Sequence, residues 1–88
     1  MGDSAHSTIA VVSAAVAKIT RREQQACAAP QLNLLEHLSV DSLALLEIIE
    51  TLEKELQVTI PDEDTGRVKT VGDLYVVVQR LTDQIGRP

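Results

Sequence analysis

The chain has 88 residues, 44% of them hydrophobic, and a formal net charge of −5 at pH 7. This length fits one small domain over residues 1–88, and the hydrophobic content excludes wholesale disorder. The single cysteine, Cys27, excludes an internal disulfide bond. Because Tyr75 is the only aromatic residue, the core must consist of aliphatic side chains, which suit helices packed on helices.

The acidic residues are concentrated in the middle of the chain. Residues 36–64 contain nine acids against Lys54 alone, a balance of −8, whereas both flanking segments are slightly basic. Such a block repels phosphate backbones, which disfavours nucleic acid, and it attracts a basic protein surface. No run is long and apolar enough for a membrane span or a typical signal peptide. We therefore expect a cytoplasmic protein, and the short ends favour a free-standing one.

Apolar residues at spacings of three and four predict a first helix over about residues 7–25: Ile9, Val12, Val16 and Ile19. Residues 1–6 and 86–88 are expected to fray. Pro30 marks a loop that extends to about Val40, which is long for so small a domain. A short extra helical turn within this loop remains an open alternative.

The strongest predicted helix begins at Asp41. Its carboxylate suits the N-cap position, where it can accept backbone N–H groups of the first turn. Four apolar residues then follow at helical spacing: Leu45, Ile49, Leu52 and Leu56. Leu46 and Ile48 widen this apolar stripe. Most of the charged residues fall on the opposite face, so this helix is amphipathic with an acidic outer surface.

Two further helices are predicted in the last third of the chain. Pro61 at the first helical position, followed by three acids, predicts a helix of about one turn that Gly66 ends. Thr70 and Asp73 form a capping pair for a last helix that continues to Ile85. Two runs rich in β-branched residues, 57–60 and 75–78, also have strand propensity. The periodicity of apolar residues through Ile85 nevertheless favours a helix.

No motif predicts catalysis or metal binding by the chain itself. The histidines, His6 and His37, form no cluster with Cys27 at metal-ligand spacing. The chain has no glycine-rich phosphate loop and no Gly-x-Ser-x-Gly motif. A nucleophile pair of His37 and Ser42 is conceivable, but no oxyanion hole accompanies it. We therefore expect no catalytic residue and no metal ligand.

Ser42 lies at the predicted start of the central helix, where the positive end of the helix dipole favours a phosphate ester. Alone, Ser42 would be explained as a capping residue. However, the run Leu38-Ser39-Val40-Asp41-Ser42-Leu43 resembles the phosphopantetheine attachment site of the acyl carrier protein family, Leu-Gly-x-Asp-Ser-Leu. Two later blocks, residues 60–62 and 66–71, are similar to the third helix and the start of the fourth helix of that family. The distances between the blocks also match the family.

Within the family, residues 41–47 and 58–62 are most similar to discrete carriers of bacterial type II polyketide synthases. The chain departs from the family pattern at several positions. Ser39 replaces the usual glycine, so the backbone of this turn could differ, and His37 stands where an acid is common. Further departures favour a specialised pathway over housekeeping fatty-acid synthesis: Ala44 instead of an acid, and Leu34 and Leu56 instead of phenylalanine.

The resemblance implies an all-α four-helix bundle with three long helices and one short one. It implies that a phosphopantetheinyl transferase attaches 4'-phosphopantetheine to Ser42, with Asp41 supporting this loading, and that the thiol of the arm holds acyl groups as thioesters. Basic patches on an acyltransferase, a ketosynthase and other partner enzymes would dock on an acidic surface: Leu43, Glu47, Glu50 and Glu53.

The protein is therefore expected to be a monomeric carrier without catalytic activity. The expected core, which would also line a pocket for an acyl chain, consists of seven residues: Leu45, Leu46, Ile49, Leu52, Val71, Leu74 and Val78. Two alternatives remain open. One is a peptidyl or aminoacyl carrier, which shares the serine motif, and the other is a helical protein-interaction module without a prosthetic group.

Overall fold

A computed structural model describes the backbone of residues 4–85 and the side chains of residues 8–83. The described backbone contains five α-helices: α1 Ser4–Thr20, α2 Leu34–Leu38, α3 Ser42–Leu56, α4 Asp62–Arg67 and α5 Val71–Ile85. Of the residues expected to fray, 1–3 and 86–88 lie outside the described residues. The expectation is wrong for residues 4–6, which belong to α1, so this helix begins three residues before its predicted start. The predicted all-α bundle with three long helices is confirmed, and α2 is the extra turn that the sequence left open.

No strand forms between residues 4 and 85, where the only β-type contact is an isolated bridge between Asn33 and Thr70. Residues 75–78, despite their strand propensity, lie inside α5. The expectation of a helix there is confirmed, because one face of this segment packs into the bundle.

The first helix ends five residues earlier than predicted, at Thr20. The prediction to residue 25 is wrong because Arg21 takes a left-handed conformation, with φ of 59°, and reverses the chain. A 3-10 helix, Gln24–Cys27, then lies against α1. There the side-chain amide of Gln24 donates to the Ala10 carbonyl oxygen over 3.2 Å, and Cys27 is wholly buried.

The core lies between the three long helices. Its largest wholly buried side chains come from all of them: Val12 and Val16 of α1, Ile48 and Leu52 of α3, and Val71, Leu74 and Val78 of α5. The expectation that Leu46 lies in the core is wrong, because this residue is 51% exposed. The side of α3 that faces the core is centred on Ile48 and Leu52, and Leu46 lies about 160° from Ile48 around the helix axis.

The third predicted helix is confirmed as α4, with small shifts at both ends. Pro61 is its N-cap rather than its first helical residue, and Gly66 lies inside the helix, which ends at Arg67. An ion pair of 2.6 Å between Asp64 and Arg80 joins α4 to α5.

The predicted capping pair at the start of α5 is confirmed. The Asp73 N–H donates to Thr70 Oγ1 over 3.1 Å, and the Thr70 N–H donates to Asp73 Oδ2 over 3.0 Å. The Lys69 N–H also donates to this carboxylate, over 2.8 Å, and holds the pKa of Asp73 below its ordinary value of 3.8. These bonds satisfy first-turn donors that a helix cannot satisfy by itself.

The loop before α2 is fastened to the first turn of α5. The Gly72 N–H donates to the Pro30 carbonyl oxygen over 2.9 Å, and the Val71 N–H donates to the Leu32 carbonyl oxygen over 3.0 Å. The Tyr75 hydroxyl donates to the Ala28 carbonyl oxygen, and burial raises the pKa of Tyr75. This loop is therefore pinned to the core.

Gly72→Ala is expected to destabilise the protein, whereas Gly66→Ala is expected to stabilise it. A methyl group at Gly72 would meet the Pro30 carbonyl oxygen at 3.0 Å and Pro30 Cβ at 3.1 Å, while nothing lies within 4 Å of one at Gly66. Both changes gain helix propensity, but overpacking costs about 1–3 kcal/mol. Urea denaturation of both variants measures the difference, and equal stabilities would contradict this packing.

Candidate functional site

Ser42 is the first residue of α3 and is exposed. Asp41, also exposed, is the N-cap: its Oδ1 accepts the Ala44 N–H over 2.9 Å, and its carbonyl oxygen accepts the Leu45 N–H over 2.8 Å. The predicted cap and helix start are thus confirmed. The Ser42 side chain is therefore held at the positive end of a 15-residue helix, where a phosphate ester is electrostatically favoured.

The turn that leads to Ser42 comes directly from α2. Ser39 takes a left-handed conformation, with φ of 58° and ψ of 32°, the region that glycine adopts at no steric cost. Its N–H donates to the Leu35 carbonyl oxygen over 3.1 Å, and the Val40 N–H donates to the Leu34 carbonyl oxygen over 2.8 Å. Serine in place of the family's glycine therefore does not prevent a left-handed turn here.

A groove of about 590 Å³ lies beside Ser42, between α2, the start of α3 and the segment before α5. Its apolar lining includes the buried side chains of Leu34, Val40 and Val68, while its polar lining comes from Asn33, Glu36, Asp41, Ser42 and Lys69. The volume falls within the range of small-molecule sites. An apolar lining with polar groups beside an accessible hydroxyl fits a phosphopantetheine arm, which has methyl, amide and phosphate groups.

Three leucines near Ser42 are exposed: Leu35, which lines the same groove, at 63%, Leu43, the next residue, at 67%, and Leu46, one helical turn further, at 51%. Leu43, Glu47 and Glu50 are spaced by four and three residues, so they share one exposed face of α3. Sequence reasoning missed Leu35 and assigned Leu46 to the core. Two adjacent leucines in a short helix do not reveal which one faces outward.

Glu53, the fourth predicted docking residue, is only partly exposed. Its Oε2 accepts the Ile60 N–H over 2.8 Å and so fastens the segment between α3 and α4. The structure thus places Leu43, Glu47 and Glu50 together on an exposed surface. One carboxylate oxygen of Glu53 is instead used in a hydrogen bond within the fold.

Between residues 8 and 83, no three His, Cys, Asp or Glu side chains converge in a way that could hold a metal ion. None of the helices in the described part of the chain is long and apolar enough to cross a membrane.

A sequence profile of the family described as "Phosphopantetheine attachment site" matches residues 10–76. The chain is 36% identical over 55 residues to the meromycolate extension acyl carrier protein of Mycolicibacterium aurum, covering 62% of this chain and 57% of that protein. It is 42% identical over 50 residues to an acyl carrier protein of Clostridium perfringens, covering 57% of this chain and 66% of that one.

The chain thus spans between about half and two thirds of the length of the curated relatives it matches. Among solved structures, a proposed acyl carrier protein from Mycobacterium tuberculosis superposes with a TM-score of 0.74 at 31% sequence identity. This superposition covers 81% of this chain and 93% of that one.

Proposed function

Because the chain belongs to the phosphopantetheine attachment family, we propose that it is an acyl carrier protein whose Ser42 bears the 4'-phosphopantetheine arm. The observation that carries this proposal is the exposed Ser42 hydroxyl at the N-terminus of α3, beside a groove that suits the arm. When bound, the arm supplies a thiol that holds acyl groups as thioesters. Ser42 is then a tether, and the domain has no catalytic activity of its own.

Asp41 has two roles in this proposal. Its carboxylate caps α3 and so fixes the backbone on which Ser42 is presented. Because one carboxylate oxygen makes this bond and the residue is exposed, the other oxygen can face a phosphopantetheinyl transferase during loading. The role in loading is carried over from the family, and the role as cap rests on the 2.9 Å bond.

The experiment for this function is direct loading of the apo protein. The protein is incubated with coenzyme A and a promiscuous phosphopantetheinyl transferase, and its intact mass is measured. We expect the mass to increase by one phosphopantetheine, and fragmentation of the peptide that contains residues 23–54 should place the group on Ser42. A folded protein that gains no mass would contradict the proposal and favour an interaction module without a prosthetic group.

We further propose that partner enzymes dock on the face formed by Leu43, Glu47 and Glu50. Opposite charges on a partner accelerate the encounter, and an exposed leucine beside the arm adds apolar contact. Each exposed ion pair contributes only about 0.2–1 kcal/mol, so the complexes would be short-lived, as a carrier requires. Glu53 contributes less to this face because its carboxylate is bonded to the Ile60 N–H.

Glu47→Lys is expected to slow acyl transfer from a partner enzyme with a basic docking patch. Replacing one attraction by a repulsion changes the association by about 1 kcal/mol, or about fivefold in kcat/KM, at low ionic strength. Glu55→Lys is the matched control, since it makes the same charge change on α3 two turns farther from Ser42 and beyond Lys54. Equal transfer rates for both variants at low salt would refute the docking face.

Within this role, we propose that the chain serves a type II polyketide pathway. We also propose that it is a cytoplasmic monomer and that an acyltransferase and a ketosynthase are among its partner enzymes. The proposal is supported by the similarity of residues 41–47 to such carriers and by Ala44. The acidic face favours an acyl over a peptidyl or aminoacyl carrier.

Because the chain also matches meromycolate extension carriers, the test compares two ketosynthases, one from a polyketide pathway and one from a fatty-acid pathway. The measurement is the rate at which each extends the acyl group on the loaded protein. Faster extension by the fatty-acid enzyme would overturn the pathway.

A further inference from the structure

The side chain of His37 bonds back to the residue that begins α2. The Asn33 N–H donates to His37 Nδ1 over 2.7 Å, and the Asn33 carbonyl oxygen accepts the His37 N–H over 2.8 Å. The Asn33 side chain also accepts the Glu36 N–H, over 2.8 Å. Asn33 and His37 are thus joined in both directions across the single turn of α2.

This turn determines where the chain enters α3. With five residues, α2 is too short to be stable alone, so its end contacts hold it. On one side the Leu34 N–H donates to the Lys69 carbonyl oxygen over 2.9 Å. On the other side, only residues 39–41 separate α2 from Ser42. Leu34, Leu35 and Glu36 also line the groove beside Ser42, so a shift of α2 changes both the groove and the serine.

The hydrogen bond from Asn33 requires a lone pair on His37 Nδ1, which exists only in the neutral ring with its proton on Nε2. Protonation turns Nδ1 into a donor that faces another donor. We propose that His37 is a positioning residue for Ser42: its neutral ring holds α2 and the groove in place, and its protonation releases them. The effect on α2 is independent of the prosthetic group, and the effect on loading rests on the proposed function.

The charged groups around this turn come from three elements. They are Glu36 of α2, Asp41 at the start of α3, Lys69 in the segment before α5, and Asp73 in the first turn of α5. Carboxyl and ammonium groups ordinarily titrate well outside the interval from about pH 5.5 to about pH 7.5, where histidine changes charge. Among these groups only His37 carries an imidazole, so a change at α2 is assigned to it by following its ring nitrogens together with the amides.

The first test is NMR of the ¹⁵N-labelled apo protein, between about pH 7.5 and about pH 5.5. At the higher pH we expect a scalar coupling across the hydrogen bond from the Asn33 amide nitrogen to His37 Nδ1. Protonation should abolish this coupling and shift the amide signals of Leu34, Val40 and Ser42 with the same midpoint. The proposal is overturned if the coupling is absent at the higher pH, or if these amides do not follow the His37 titration.

The second test uses His37→Asn, which keeps an uncharged acceptor at the δ position, and His37→Ala, which removes the acceptor. The rate of loading by the transferase is measured for wild type and His37→Asn at both pH values, and their ratio cancels the pH dependence of the transferase. We expect a ratio near one at the higher pH and a decrease of about fivefold at the lower pH, as one lost hydrogen bond implies.

At the higher pH, His37→Ala should load about as slowly as protonated wild type does, whereas His37→Asn should not. A ratio that is the same at both pH values overturns the positioning role, even if His37→Ala does not fold. If neither the wild type nor the variants accept phosphopantetheine, the proposed function fails. The NMR titration of the apo protein still decides whether His37 holds α2.

Discussion

Ser42→Ala is expected to abolish the addition of phosphopantetheine. The substitution removes the only hydroxyl group at the start of α3, and no other side chain there can form the phosphodiester bond. Alanine is tolerated at an exposed first helical position, so the fold should persist. Intact mass after incubation with coenzyme A and the transferase should show complete modification of wild type and none of the variant.

The matched control for this result is Ser39→Gly. Ser39 is the nearest other serine, it is exposed, and it takes a left-handed backbone conformation that glycine adopts without strain. The control therefore removes a hydroxyl three residues away without disturbing the turn, and it should be modified like wild type. An adduct that persists in Ser42→Ala, or disappears in Ser39→Gly, would move the attachment site away from Ser42.

Leu52→Ala is expected to lower the free energy of unfolding by about 2–5 kcal/mol, because truncating a buried leucine loses apolar burial and leaves a cavity. Leu52 is 0% exposed and belongs to the α3 side of the core. Small domains have a free energy of unfolding of about 5–15 kcal/mol in total. The variant should therefore be much less resistant to urea and heat than wild type.

Leu43→Ala is the matched control, since it makes the same chemical change on the same helix. Leu43 is 67% exposed, and an exposed substitution of this kind changes stability by only about 0.5 kcal/mol. Urea denaturation followed by circular dichroism measures both variants. Similar losses of stability would mean that the buried face of α3 is assigned wrongly. For Leu43→Ala we expect slower acyl transfer instead, because the residue lies in the proposed docking face.

These two pairs of variants separate the two faces of α3. Its inner face supplies Ile48, Ile49 and Leu52 to the core, and this packing fixes the axis of the helix. Its N-terminus presents Ser42, and its outer face presents Glu47 and Glu50. A rigid helix thus gives the attachment point and the docking face a constant geometry, while the surface contacts remain weak enough for exchange between partners.

The sequence by itself determined the features that depend on neighbours in the chain. A helical stripe and an N-cap involve residues three or four apart, so the start of α3 at Asp41 and the capping pair of Thr70 and Asp73 were predictable from local chemistry. The motif around Ser42 is likewise a contiguous run, and the profile match over residues 10–76 agrees with the resemblance found there.

Only the tertiary structure decided features that depend on contacts between distant parts of the chain. The spacing of leucines in α3 could not distinguish exposed Leu46 from the core, because the packing of α3 against the rest of the bundle, chiefly α1, determines which side of the stripe is covered. The bond between Glu53 and the Ile60 N–H converts one predicted docking group into a structural one. The position of α2 beside Ser42 likewise depends on Lys69, which is distant in sequence.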